Sequence, residues 1–324
     1  MLEEKPEIIQ SAFSMIVKED DHGKRFDSFV AENLVDISRS QISELISIGT
    51  IRLNKIEKKP GYKVKTDDIV DGSIPPPLPL EFQPEQIDLD VLYEDSDIVV
   101  INKQPGLVVH PAPGNWSGTL VNALLYHFPG IDGGDDEIRP GIVHRLDKDT
   151  SGVMVVARNR KAHSVLADAF KQRKVHKEYV AVLYGLIELD KGVIVLPVGR
   201  HPVDRKKMSV QSNVGRYAET HWSVEERLGC VTKARFIIKT GRTHQIRVHC
   251  KSMGHPIVGD IVYTGNKKNF YKNAGRGIEH VLKSIGRQML HAEKLEFIHP
   301  VTNKKLIFKA PVPDDMLTLI KKFQ

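Results

Sequence analysis

Apolar positions change their period several times along this 324-residue chain, and each change marks an element. Phe26, Phe29, Val30 and Leu34 recur at helical spacing. A second helix is predicted from Ser38, where Ser38-Arg-Ser-Gln41 fits a capping box ahead of Ile42, Leu45 and Ile46. Residues 50–54 read as a strand running into a turn at Asn54-Lys55, and 64–70 as another strand after Pro60-Gly61. Further on, Asp97-Ile-Val-Val-Ile-Asn102 has the continuous apolar run of a buried strand. Strands are also predicted at 152–157, 178–184, 234–240 and 304–309, and helices at 119–127, 161–171 and 244–253. Strands outnumber helices and do not alternate with them. That pattern predicts an α+β fold with a mixed, mainly antiparallel sheet, preceded by a small N-terminal α/β unit.

Four prolines within residues 75–79 interrupt the pattern. They remove backbone donors and favour extended geometry, so 75–90 is expected to be a semi-rigid linker. The expected organisation is a flexible tail at 1–15, a small domain at 16–74, the linker, and a large domain at 91–324.

Composition narrows the function. Apolar residues make up 40% and charged residues 27%, as in ordinary soluble domains, and no apolar run reaches the length of a membrane span. The opening MLEEKPEIIQ is neither a secretory signal nor a transit peptide, and the two cysteines build neither a disulfide framework nor a CxxC metal site. A cytoplasmic monomer is the expectation. Net charge is +6, but its distribution says more than its size. Residues 37–66 and 158–178 each carry seven Lys/Arg against two acids, and 200–207 carry four bases against Asp204. Any one stretch is equally well an ordinary solvated face. Three together suit a partner with a long phosphate backbone.

Candidate chemistry concentrates in Gly141-Ile-Val-His-Arg-Leu-Asp-Lys-Asp-Thr-Ser-Gly152, which packs acids, bases and hydroxyls between glycines beside apolar strands. An isolated Asp-x-x-Thr would more often be a capped connecting loop. Here the longer string His144-Arg-Leu-Asp147, followed by Thr150-Ser-Gly152, resembles the signature of the RluA-type pseudouridine synthases. Lys177-Glu-Tyr179 and Thr240-Gly-Arg-Thr-His-Gln-Ile-Arg-Val-His249 follow in the family's order. So do Gly254-His-Pro-Ile-Val-Gly-Asp260, Leu290-His-Ala-Glu-Lys-Leu295 and Phe297-Ile-His-Pro300. Ahead of them, Arg25-Phe-Asp27, Ser38-Arg-Ser-Gln41, Gly49-Thr-Ile-Arg-Leu-Asn54 and Lys65-Thr-Asp-Asp-Ile-Val70 resemble the S-four RNA-binding domain, named for a ribosomal protein. With the leading S-four-type module, the resemblance is to the RluD-like branch of that family.

The resemblance implies isomerisation of uridines in RNA, with large-subunit ribosomal RNA as the family-level substrate and no cofactor or metal. It makes Asp147 the catalytic carboxylate, Arg247 its ion-pair partner and Tyr179 the ring lying against the target base. Arg145 would fill the space an extruded nucleotide leaves, while Arg39, Arg52 and Lys55 would face RNA phosphates. The residue types suit these roles. A carboxylate beside the ribose can act as nucleophile or base. A guanidinium fork orients an acid and favours its charged form. Tyr offers a flat face for a flipped base and a hydroxyl placed to assist proton removal at carbon five.

Two rival readings remain. Asp147-Lys-Asp149-Thr150 also fits the DxDxT pattern of magnesium-dependent phosphotransferases, although no apolar strand runs directly into that aspartate. A non-catalytic RNA-binding or ribosome-assembly factor is the other alternative. His144, His244, His249 and His255 lack the spacing of a metal site and are expected to be hydrogen-bonding residues.

Overall fold

A computed structural model describes residues 11–324 apart from 35–36, 38, 75–82, 112–115, 132–139, 205–206, 213 and 266–275. The chain divides into two compact units, Met1–Leu80 and Glu81–Gln324.

The first unit joins a three-stranded antiparallel sheet to two helices. β1 (Ser11–Ile16), β2 (Ile51–Leu53) and β3 (Ile69–Ile74) lie in the order β1-β3-β2. Helices α1 (Phe26–Asn33) and α2 (Arg39–Ser47) bury Phe26, Phe29, Val30, Ile42 and Ile46 against Ile51, Leu53, Val64 and Val70. Each such side chain stabilises the unit by about 1.5–3 kcal/mol when fully buried. Two expected boundaries move. β1 occupies residues 11–16, most of which the pattern places in a tail, because Phe13 and Met15 alternate inward against the sheet. The strand expected at 64–70 starts only at Ile69, since Asp67 turns the chain at φ 70°. The tail over 1–10, the capping serine Ser38 and the proline run fall outside the described residues.

The second unit is built on one nine-stranded sheet, in which most pairs are antiparallel. Its first strands are β4 (Asp90–Glu94), β5 (Ile98–Lys103), β6 (Ser151–Ala157), β7 (His176–Tyr184) and β8 (Lys191–Val195). β9 (Gly199–Arg200) and β10 (Met208–Ser209) form a separate small ribbon. β11 (Glu219–Leu228), β12 (Val231–Ile238), β13 (Leu290–Ile298) and β14 (Lys305–Lys309) complete the large sheet. The order is β4-β5-β6-β13-β7-β12-β11-β8, with β14 also pairing β13. Among the described strands only β6 and β13 pair in parallel, meeting at Ser151–His291 and Gly152–Ala292. A Cβ on Gly152, at φ 120°, would overlap the Ala292 backbone, so this approach requires glycine.

Among the described residues five helices accompany the sheet: α3 (Leu120–His127), α4 (Arg160–Lys171), α5 (Gln245–Ser252), α6 (Arg276–Ser284) and α7 (Asp314–Lys321). Asn159 caps α4 by accepting the Ala162 N–H at 2.9 Å, and Ala162 and Leu166 pack against β5 and β6. With both faces covered, β6 is buried at every position. The observed fold is the α+β architecture with a mixed, mainly antiparallel sheet that the pattern predicts.

Candidate active site

The loop 141–150 folds back along β6 before entering it. Ile142 bridges Val156, and the Gly141 carbonyl accepts the Ala157 N–H at 2.9 Å. His144 Nε2 accepts the Val155 N–H at 3.1 Å, and its ring stacks on Phe170 with centroids 4.5 Å apart. Burial, helped by the Lys177 charge, pushes His144 down to about 3, consistent with a neutral acceptor. Farther along, the Lys148 carbonyl accepts from the Gly106 N–H at 2.9 Å and from Lys103 Nζ at 3.0 Å. Lys103 is wholly buried and also donates to the carbonyls of Gln104 and Leu107, at 2.8 and 3.0 Å. Its desolvation brings it down to about 7, against the opposing pull of Asp149 and Asp147. These bonds fix the turn that carries Asp147.

A second loop, 240–244, leads from β12 into α5. Gln245 pins it: Oε1 accepts from Thr240 Oγ1 at 2.7 Å and from the Arg242 N–H at 3.1 Å. Its Nε2 donates to the Glu219 carbonyl and to Thr220 Oγ1. His244 stands ahead of α5 in the left-handed region, at φ 56°. Such a backbone costs a non-glycine residue about 1–3 kcal/mol. Here it brings His244 Nδ1 within 2.7 Å of Tyr263 Oη and Nε2 within 3.9 Å of Asp147 Oδ2.

Arg247, in the first turn of α5, joins the two loops. Its Nη1 donates to Asp147 Oδ2 at 2.9 Å, while Nε and Nη2 donate to the two oxygens of Asp260 at 2.6 and 3.0 Å. Asp260 is completely buried and also accepts the Val262 and Tyr263 N–H groups. Burial opposes the charge on Arg247, but Asp260 and then Asp147 more than offset it and raise its pKa. The fork therefore has a fixed anchor in Asp260 and presents its remaining arm to Asp147, whose side chain is 17% exposed.

Asp147 faces a cleft of about 430 Å³. Arg145, Tyr179 and Arg247 line the same cleft, so the structure gathers all four residues singled out in this part of the sequence. Tyr179 is 7% exposed on β7, and burial followed by the Asp147 charge pushes its phenol upward. Arg145, Lys171, Arg173, Lys239 and Arg242 make the cleft lining basic.

Arg39, Arg52 and Lys55 lie in the N-terminal unit, and all three are exposed. Arg39 donates to Asp27 at 3.1 Å, and Arg52 to the Gly49 carbonyl at 2.9 Å. Lys55 and Asn54 form the turn after β2, at φ 63° and 51°. The four histidines considered as ligands each bond to protein groups: His144 and His244 as above, His249 to Thr220 and the Leu196 carbonyl, His255 to the Tyr184 carbonyl. Sequence reasoning passed over Asp260 and Lys177, although both end or begin strings it singled out.

The RNA pseudouridylate synthase family model matches residues 97–252 and the S4 domain model matches 24–70. The chain is 41% identical over 306 residues to the uncharacterized RNA pseudouridine synthase YlyB of Bacillus subtilis, covering 94% of this chain and 96% of that protein. It is 43% identical over 298 residues to ribosomal large subunit pseudouridine synthase D of Xylella fastidiosa, covering 92% and 88%. Among solved structures, human RNA pseudouridylate synthase domain containing 1 superposes with a TM-score of 0.55 at 29% identity, covering 70% of this chain and 84% of that one.

Proposed function

The chain belongs to the RNA pseudouridylate synthase family, and from that premise we propose that it isomerises particular uridines of large-subunit ribosomal RNA with Asp147 as the essential carboxylate. It is an RNA pseudouridine synthase with an N-terminal RNA-binding S4 domain; the substrate and the residue roles are the proposal. One observation carries the assignment of Asp147. Its carboxylate is held by a buried guanidinium whose other donors are committed to Asp260, at the wall of a basic cleft. A protein that only bound RNA would have no use for a carboxylate fixed in that way.

The reaction breaks the bond from ribose C1′ to uracil N1 and forms one from C1′ to C5. C5 loses a proton and N1 gains one, so atoms and electrons balance without a redox partner. Asp147 would serve at the ribose, either attacking C1′ or removing a ribose proton. Arg247 would orient it, and Tyr179 would offer its face to the uracil with its hydroxyl protonated. Arg145 would occupy the position vacated by the flipped nucleotide.

Relatives named as ribosomal large subunit pseudouridine synthase D, at 41–43% identity over nine-tenths of the chain, support the ribosomal substrate. Mapping pseudouridine across total cellular RNA, with and without the protein, tests it. The expected result is loss of a few sites confined to large-subunit ribosomal RNA. Losses confined to transfer RNA would overturn the substrate.

A further inference from the structure

Five Asp, Glu, Lys or Arg side chains are buried among the described residues: Asp27, Lys103, Lys177, Arg247 and Asp260. Four have partners that answer their charge. Asp27 is held by Arg25 and Arg39, Lys103 by three carbonyls, and Arg247 and Asp260 by each other. Lys177 is the exception. It is 8% exposed, and among the described residues its ammonium makes no hydrogen bond or ion pair. Its contact is the ring of Phe170, with Nζ 5.6 Å from the centroid. Among the described residues no fully buried side-chain N or O atom lacks a partner, so Nζ keeps its solvent contact, and the space it reaches is the cleft that Lys177 lines.

Burying an ammonium without a counter-charge is costly, and desolvation brings Lys177 down to about 8. A cation left in that state binds an incoming anion strongly, because part of its hydration is already gone and no internal acid competes. The neighbours fit the same reading. His144 is neutral, Glu178 points to the other side of β7 where Lys294 and Arg235 hold it, and Arg173 adds positive charge to the cleft. Lys177 and Tyr179 are two apart on one strand, so they share a face about 7 Å apart. A nucleotide whose base lies against Tyr179 would bring its own backbone to Lys177. RNA carries its negative charge on phosphates.

We propose that Lys177 is a positioning residue that receives the phosphodiester flanking the target uridine. The inference rests on the reading that the cleft takes a flipped nucleotide. It assigns Lys177 the task of converting one backbone charge into correct placement of the base. Replacement should then raise KM more than it lowers kcat.

Phosphate-ethylation interference on a transcript that the wild-type enzyme converts gives the direct test. Wild type should show interference at a set of phosphates. Lys177→Gln should lose it at one phosphate adjacent to the converted uridine and keep the rest, which also shows that the variant is folded. KM should rise about tenfold, and the log–log salt slope of binding should fall by about 0.7–0.9. An unchanged interference pattern and slope would overturn the proposal. Trace acetylation of wild-type lysines provides a check that needs neither a folded variant nor the natural substrate. Uridine 3′- or 5′-monophosphate should protect Lys177, while uridine should not. Equal protection by uridine would mean that Lys177 meets the base, and no protection by any of them would mean that it meets neither; each overturns the phosphate assignment. If no ribosomal transcript is converted at all, the proposed substrate fails while the mononucleotide comparison still decides Lys177.

Discussion

The two units of the chain use the same ion-pair chemistry with the signs exchanged. In the N-terminal unit one buried acid, Asp27, is held by two guanidinium groups that are about half exposed, Arg25 and Arg39. In the C-terminal unit one buried guanidinium, Arg247, holds two acids, Asp260 and Asp147. The first arrangement turns surplus positive charge toward solvent. The second leaves a carboxylate oxygen facing a cleft, on a support that cannot rotate away. An exposed cation attracts a polyanion but does little to fix geometry, whereas a buried fork fixes geometry and attracts nothing. Binding and chemistry are thus expected to respond to different substitutions.

The largest expected effect is at Asp147. Asp147→Asn keeps the shape and removes the charge, so single-turnover conversion should fall by about 10⁴-fold, the upper range for one catalytic acid or base. RNA affinity should fall less than tenfold, about 1.4 kcal/mol. Conversion near the wild-type rate would remove Asp147 from the chemistry and end the comparison.

Next comes Arg247, where the two units should differ in stability. Arg247→Met leaves Asp260 buried with only two backbone N–H donors, and breaking a buried pair on one side costs about 3–5 kcal/mol. Arg247→Lys keeps the charge but not the fork, so it should lower activity strongly with a smaller loss of stability. The mirror substitution, Arg25→Ala, leaves Asp27 with Arg39, so it should cost the N-terminal unit less than Arg247→Met costs the C-terminal one. Trp116 and Trp222 both lie in the C-terminal unit, so their fluorescence in a denaturant series reports that unit alone. Backbone hydrogen exchange reports the other. Equal losses in the two units would show that burial does not distinguish them.

Much of this contrast was legible in the sequence, though unevenly. Strands such as β5 and β6 are continuous apolar runs, and burial on both faces is what writes such a run. Asp147, Arg145, Tyr179 and Arg247 stood out because several reactive types crowd into short strings. β11 and β13 were passed over because charged side chains alternate along them, and those charges are paired across strands, as Arg235 pairs with Glu178, Glu225 and Glu293. β1 was legible in the alternation of Phe13, Met15 and Val17, which the polar opening residues obscured. Asp260 and Lys177 sat in plain view inside the quoted strings. What no string shows is that Asp260 has no exposed surface, or that Lys177 is buried without a partner, because both follow from the packing of distant segments.

The smallest expected effects fall on the exposed cations of the first unit, and they decide whether its half of the comparison concerns RNA at all. Arg39 and Arg52 already have protein partners, Asp27 for one and the Gly49 carbonyl with Glu57 for the other. Lys55 stands exposed on its turn and makes no hydrogen bond or ion pair among the described residues. Removing Arg39 would therefore disturb both the fold of the unit and its charge. Lys55 isolates the charge. Asn tolerates the left-handed backbone that Lys55 adopts at φ 63°, so Lys55→Asn should leave stability unchanged. If the turn meets a phosphate, the log–log salt slope of RNA binding should fall by about 0.7–0.9, and affinity by less than tenfold. Single-turnover conversion at saturating enzyme should not change, because this substitution lies in a unit that supplies none of the proposed catalytic groups. An unchanged slope would mean that the turn carries only solvated charge. A reduced saturating rate would mean that charge in the first unit serves chemistry as well as binding, and the division of labour drawn from the two ion-pair arrangements would fail.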